Sequence, residues 1–275
     1  MARQVIGAEG TVASWTGTFY SNLVSKTRPM SVTVQASADA IDFTGLGSYG
    51  REFRSGLGQW TANIEAYTLT QSTNTAPNIG NAGNVTFTNS TNVYIDSFTV
   101  NINAPAIETT TFNPTVLWRT FRPGVATWSG TLNARIDDTN NVPLPFLTTN
   151  AAVSATFTYD TNATLAGNII ITNVAPAMSV DGVTVVPITF QGTGALTPAG
   201  TASVLGTTAF CTGATGIPEW NSDGSSAKAL TINLAGSNTL TGADSFWTSL
   251  ALTCGVSQAT RLAIGVRGSG QLAST

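Results

Sequence analysis

Histidine is absent from the 275 residues and lysine occurs only twice, at Lys26 and Lys228. The commonest general base and metal ligand is missing, and amine nucleophiles nearly so. Ser-His-Asp and Cys-His arrangements are impossible. A zinc site on two cysteines without histidine needs unusual carboxylate help, and no Gly-x-x-x-x-Gly-Lys loop is present for nucleotide phosphates. What remains is carboxylate chemistry. Asp137, Asp138 and Asp160 could pair as glycosidase carboxylates do, but Asp137-Asp138 opens an Asp-Asp-Thr-Asn-Asn stretch that also reads as a solvated loop. Gly45-Leu-Gly47-Ser-Tyr-Gly50 fits the dinucleotide glycine pattern, follows a plausible strand at 40–44 and has Glu65 downstream. Its context fails, because Arg51-Glu-Phe-Arg-Ser-Gly56 follows where an apolar helix is needed, so these glycines read as easing a loop. No catalytic residue, cofactor or metal ligand is expected, and the chain does not read as an enzyme.

The elements that would carry any function are strands. Charged residues make up only 9% of the chain, with Thr, Ser, Asn and Gly supplying the polar surface. Val, Ile, Thr and aromatics recur in short segments bounded by Gly, Pro, Asn and Asp, and long runs of helix formers are missing. An all-β fold is expected. Asp181-Gly182 between apolar runs reads as a hairpin turn, since both residues tolerate positive φ. No segment approaches the roughly 18 apolar residues of a membrane span, and Met1-Ala-Arg-Gln-Val lacks the apolar core of a signal peptide, so no membrane partner and no export are expected. Cys211 and Cys254 could bridge if strands brought them together, but without export they read as two small buried thiols. Asn84-Val-Thr86 and Asn162-Ala-Thr164 are triplets that an Asn- and Thr-rich chain produces by chance.

The chain also repeats itself. Arg51-Glu-Phe53-Arg54-Ser-Gly56-Leu-Gly-Gln-Trp60 returns as Arg119-Thr-Phe121-Arg122-Pro-Gly124-Val-Ala-Thr-Trp128 at a constant offset of 68, continuing to Ala66 and Ala134. Further along, Ile188-Thr-Phe190-Gln-Gly192-Thr-Gly194-Ala-Leu196 is echoed by Ile264-Gly-Val266-Arg-Gly268-Ser-Gly270-Gln-Leu272, and the apolar runs upstream, 166–173 and 246–253, match as well. A repeated supersecondary unit follows. The order of the pieces predicts nesting, with residues 84–197 as one complete module inserted between the halves of another, 1–80 and 198–275.

The stretch Ala106-Ile-Glu-Thr-Thr110, then Trp118-Arg-Thr-Phe-Arg-Pro-Gly124 through Trp128-Ser-Gly-Thr-Leu-Asn-Ala134, then Gly167 through Gly182 and Phe190-Gln-Gly-Thr-Gly-Ala-Leu196, resembles the major tail tube protein of long-tailed (siphovirus-like) bacteriophages. The inner module is covered almost end to end. The outer halves match more loosely, through Ser14-Trp-Thr-Gly17, Ile41-Asp-Phe-Thr-Gly45, Gln59-Trp60 and Val266-Arg-Gly-Ser-Gly270. The resemblance implies duplicated β-sandwich or barrel-like modules whose sheets join around a ring, with rings stacking into a tube that conducts DNA during ejection. It supplies no catalytic residues. The family usually has one module per subunit and six subunits per ring, so a doubled chain would form a hexamer or a pseudo-hexameric trimer. Implied partners are the chain itself, other tail proteins such as the tape measure and terminator, and passing DNA held without specific binding. The implied location is the virion tail, and the host cytoplasm during assembly.

Arg51, Arg54, Arg119 and Arg122 are candidate subunit-interface residues, since arginine is favoured at interfaces and each copy repeats the same face; their plainer reading is salt-bridging strand residues. The polar stretches 69–80 and Thr197-Pro-Ala-Gly200 read as linkers or as segments ordered by a neighbouring ring, the former especially. The net charge of -3 is compatible with a lumen along which DNA slides. Two alternatives use the same sandwiches. One is a capsid or tail decoration protein. The other is a carbohydrate-binding virion adhesin, for which Trp220 and Trp247 would supply exposed aromatics, Trp15, Trp60 and Trp128 reading as core.

Overall fold

The computed structural model describes residues 11–16, 18–46, 49–69, 84–88, 94–111, 117–136, 152–176, 184–211, 228–233 and 238–274. Its elements are β1 (Thr11–Trp15), α1 (Thr18–Lys26), β2 (Thr27–Asp42), β3 (Phe53–Thr68), β4 (Asn84–Phe87), β5 (Tyr94–Asn103), β6 (Ala106–Glu108), β7 (Phe121–Pro123), β8 (Thr127–Ile136), β9 (Val153–Asp160), β10 (Ala163–Val174), β11 (Thr184–Ala199), β12 (Leu230–Asn233), β13 (Thr239–Gly242), β14 (Ser245–Gly255), β15 (Arg261–Gly268) and β16 (Leu272–Ser274). The fold is all-β. The helix α1 departs from the strand-only expectation: Tyr20 and Leu23 lie one turn apart and are buried, and the Tyr20 ring sits 4.4 Å from that of Trp15. Lys26 closes its last turn, where a cation suits the helix dipole, and donates to the carbonyls of Thr201 and Ser203.

Ten strands join in one antiparallel sheet, in the order β2-β3-β15-β14-β5-β8-β11-β10-β9-β4. A second sheet runs β1-β12-β13-β16, and β6 pairs with β7. Inside the large sheet lie two quartets of the same design, an outer one, β2-β3-β15-β14, and an inner one, β5-β8-β11-β10. Their registers coincide residue for residue. Ile64 faces Ile264 and Ala62 faces Val266 in the outer quartet, as Leu132 faces Ile188 and Gly130 faces Phe190 in the inner. Even the irregularities repeat. The pairing slips between Pro29 and Ser31 in β2 and between Ile95 and Ser97 in β5, and again between Trp247 and Ser249 in β14 and between Ile171 and Asn173 in β10. This register aligns Phe246 with Ile170 rather than Ala166, four residues from the match read off the apolar runs. The bulged Thr172 and Thr248 are equivalent in detail, each donating through Oγ1 across the bulge, to Thr189 and Gly265.

The quartets join edge to edge. Seven residues of β14, Ser249–Gly255, pair with Asn103–Ser97 of β5, so the sheet passes from one quartet to the other without a break. Alternation along the strands sends one face inward: β9 buries Val153, Ala155, Phe157 and Tyr159, and β3 buries Trp60, Ala62, Ile64 and Ala66. Burial of each large side chain contributes about 1.5–3 kcal/mol. The segment Thr197-Pro-Ala-Gly200, expected as a polar loop, is mostly strand. β11 runs on to Ala199 because Thr197, Pro198 and Ala199 pair with Ala166, Leu165 and Thr164. The expected boundary at 197/198 therefore falls inside a strand.

Candidate assembly surface

Each quartet is built around a tryptophan lying on a glycine. Trp60 in β3 and Trp128 in β8 are almost wholly buried, and their indole N–H groups donate to the carbonyls of Gly270 at 3.2 Å and Gly194 at 3.1 Å. Gly268 and Gly192 lie flat under the rings, where a Cβ would overlap the indole. Gly270 and Gly194 take positive φ, 92° and 69°, turning the carbonyl toward the ring nitrogen. The repeated Gly-x-Gly is thus the seat of the repeated tryptophan. The pairing is nested, since Trp60 reaches 210 residues forward to its glycine across the whole Trp128–Gly194 pair.

Beside the shared strands, the segment between β6 and β7 docks onto the outer quartet. Trp118 forms a parallel bridge with Gly58, whose N–H donates to Leu117 O at 2.8 Å and whose carbonyl accepts from Arg119 N–H at 2.8 Å. Trp118 covers Gly58 so closely that a Cβ there would press on the ring. Arg119 forms ion pairs with Asp39 of β2 and, at 3.4 Å, with Glu108 of β6. Its carbonyl accepts from Gly270 N–H at 3.0 Å, and Phe121 N–H donates to Ser269 Oγ at 2.9 Å. The guanidinium of Arg267 lies 3.7 Å over the Phe121 ring and donates to Gln59 Oε1 at 2.7 Å. Burial first, and then the neighbouring charge of Arg119, lowers the Arg267 pKa from its ordinary value.

Among the described residues, the other copy of this segment meets no such partner. Phe121 is 6% exposed at the junction whereas Phe53, its counterpart, is 55% exposed. Ser269 is buried under the docked segment, and its counterpart Thr193 is open. Arg51 is exposed, and Arg54 is exposed and stacks 4.5 Å over the Phe43 ring. Arg122 is exposed on β7. Of the four candidate interface arginines, Arg119 is ion-paired across the quartets, and Arg51, Arg54 and Arg122 are exposed. The outer edge of β2 carries exposed Met30 and Ile41. On the inner quartet, β9 pairs with Ala163–Ile169 of β10, and among the described residues no strand lies on that side of β10 from Ile170 onward.

Several other expectations meet a definite environment. Trp247 is fully buried against Phe210, which removes it as an exposed sugar-stacking ring; Trp220 lies outside the described residues. Asp160 is buried at the end of β9 and accepts from Thr161 N–H. Asp137, Asp138, the Asp181-Gly182 turn, Gly47 and residues 70–80 lie outside the described residues. Cys211 and Cys254 are both thiols; burial pushes Cys211 up to about 11 and raises Cys254 as well, so neither is a ready thiolate. Among the described residues, no three of Cys, Asp and Glu gather closely enough to hold a metal.

The strand expected at 40–44 overlaps the last residues of β2, and sequence reasoning missed the rest of this edge strand. A signal was available, because Val32-Thr-Val-Gln-Ala36 in β2 parallels Phe98-Thr-Val-Asn-Ile102 in β5 and the two strands hold equivalent places. No family model matches the chain, and no curated protein matches it. Among solved structures, it is similar to a chain in the tail of an empty GTA particle obtained by helical refinement with C6 symmetry, at 16% identity and a TM-score of 0.33 over 38% of this chain and 81% of that one. It is likewise similar to a chain of the virion of a native gene transfer agent particle, at 16% identity and a TM-score of 0.31 over 38% of this chain and 92% of that one.

Proposed function

We propose that this chain is a virion tail structural protein that assembles with copies of itself into stacked rings, forming a tube through which DNA leaves the particle. Each quartet is the front sheet of one module, the inner nested in the outer, and the role is structural rather than catalytic. The observation that carries this reading is the junction itself: two copies of one design meet edge to edge through seven backbone pairs, as units of a polymer do. The residue types support it from the chemical side, since a chain without histidine and with two lysines has little with which to run acid–base or nucleophilic catalysis. A net charge of -3 suits a lumen that lets DNA pass. The sequence resemblance to major tail tube proteins points the same way. Negative-stain electron microscopy across a concentration series tests it, with stacked rings or tubes of three- or sixfold symmetry as the expected result. Particles that stay monomeric at every concentration would overturn it in favour of a decoration protein.

A further inference from the structure

We propose that the junction inside one chain is copied between chains, with β2 of one molecule pairing antiparallel to the end of β10 of a second copy, Gln35 opposite Ala175 and Ala36 opposite Val174. The proposal rests on the self-assembly reading above and specifies its surface and register. β2 and β5 occupy the same place in their quartets, and so do β10 and β14; β5 and β14 already pair, whereas β2 is one of the two end strands of the sheet, β4 being the other. Carrying Asn101↔Ala251 and Ile102↔Leu250 over by the shared bulges gives the two stated pairs.

The backbone groups are correctly aimed for this. In the existing junction, Ala104 N–H donates to Thr248 O at 2.7 Å and Val256 N–H to Asp96 O at 2.8 Å, so even-numbered residues of β14 turn their polar groups toward β5. On β10 the odd-numbered Ala175 donates inward, to Pro187 O at 3.1 Å, which turns the even-numbered Val174 outward. Pro176 holds the place of Leu252, so the copied ladder is one N–H short. Side chains agree with the backbone. The docked segment of the existing junction buries Phe121 and Ser269, and the two corresponding groups left bare are Phe53 on β3, beside β2, and Thr193 on β11, beside β10. Joining β2 to the end of β10 brings these together, with Gln191 in the place of Arg267 beside the ring. The contacts are not all repeated. Gly50 stands where Trp118 does, facing Ala126 where Gly58 is, and Pro105 stands where Asp39 does, so Arg51 lacks the acidic partner that Arg119 has. Such a contact uses different patches on its two partners, so it propagates from chain to chain until a ring closes.

The test is oxidative cross-linking of the full chain carrying Gln35→Cys and Ala175→Cys, alongside the unaltered chain, which reports any bonding by Cys211 and Cys254. The pair is the non-hydrogen-bonded kind, in which opposing side chains are closest. Asn101→Cys with Ala251→Cys serves as the intramolecular reference. The expected result is a ladder of covalent oligomers ending at one closed size, and a dimer when the two single variants are mixed. Rings or tubes seen by microscopy without the Gln35–Ala175 bond overturn this register while leaving self-assembly standing; monomers at every concentration overturn both. Ala36→Pro supplies an independent readout, because it removes an outward N–H from an edge strand, where proline is tolerated. It should raise the concentration needed for assembly at least tenfold with the melting temperature kept, and assembly at the parent concentration overturns the proposal.

Discussion

The outer and inner quartets share strand order, register, bulges and a tryptophan seated on glycine, yet one has its end covered and the other does not. Over Gln59, Arg267 and Ser269 lies the docked segment carrying Arg119 and Phe121. Over the corresponding positions of the inner quartet, Thr127, Gln191 and Thr193, no described residue performs that task. The two copies also support their sheets differently. The outer quartet is backed by a separate sheet, β1-β12-β13-β16, and by α1, whereas the inner one continues from β10 into β9 and β4. The lesson is that duplication supplied the fold twice, while the surroundings decided which copy of each surface is interior.

Cutting the chain should have the largest effect on this comparison. Residues 84–197 hold β5, β8, β10 and all but the last two residues of β11, together with β4 and β9, and expressed alone they should melt cooperatively; residues 1–80 lack β14 and β15 and should not. A cooperative melt of 1–80 would falsify the nested reading. Next come the tryptophans. Trp60→Ala and Trp128→Ala should each destabilise the chain by about 3–5 kcal/mol, read from denaturant midpoints, because each leaves a ring-sized cavity above its glycine. Equal losses would establish the two seats as energetically equivalent. Gly192→Ala and Gly268→Ala press a methyl into the same indoles and should cost about 1–3 kcal/mol each, unless the ring shifts.

Smaller effects distinguish the covered end from the bare one. Arg119→Ala should cost about 1 kcal/mol, shrinking as salt is added, since its partners Asp39 and Glu108 are well exposed to solvent. Arg51→Ala should change the stability of a single chain by less than about 0.5 kcal/mol. Similar losses for the two would mean that Arg51 has a partner too. The smallest effect is electrostatic. Burial raises the pKa of Asp244, opposed by hydrogen bonds from the backbone N–H groups of Lys228 and Ser245. A raised acid pKa stabilises the fold fully below the unfolded value, and that contribution fades as pH rises through the folded one. Asn168 holds the corresponding place in the inner quartet, so Asp244→Asn makes the two alike; the expected outcome is a melting temperature that falls less between pH 3 and pH 7 than the parent's.

Much of this was legible in the residues. Short β-branched segments between turn formers predict strands, and the recurrence of Trp60 as Trp128 and of Gly268-Ser-Gly270 as Gly192-Thr-Gly194 predicts a repeated unit, because an indole packed on a flat backbone needs glycine at one spacing. The helix α1 was not legible. Its nine residues include Thr18, Ser21, Asn22, Val24 and Ser25, none a strong helix former, and it forms because Tyr20 and Leu23 find a core to enter. Trp247 could not be told from a surface ring either, since the residues around it resemble those of any exposed strand.

By itself, then, the sequence determined the strand class, the repeat and the poverty of catalytic groups, all of which depend on residue type and local spacing. Tertiary structure alone decided that Phe121 is interior and Phe53 is not, that Arg119 is clamped by Asp39 and Glu108, and that β2 stands at one end of the large sheet while, among the described residues, β9 stops short of the end of β10. A repeat that shares Arg, Phe, Arg, Gly and Trp in register does not by itself state that difference. Burial is set by what arrives from elsewhere in the chain, and among the described residues one of the two copies receives it.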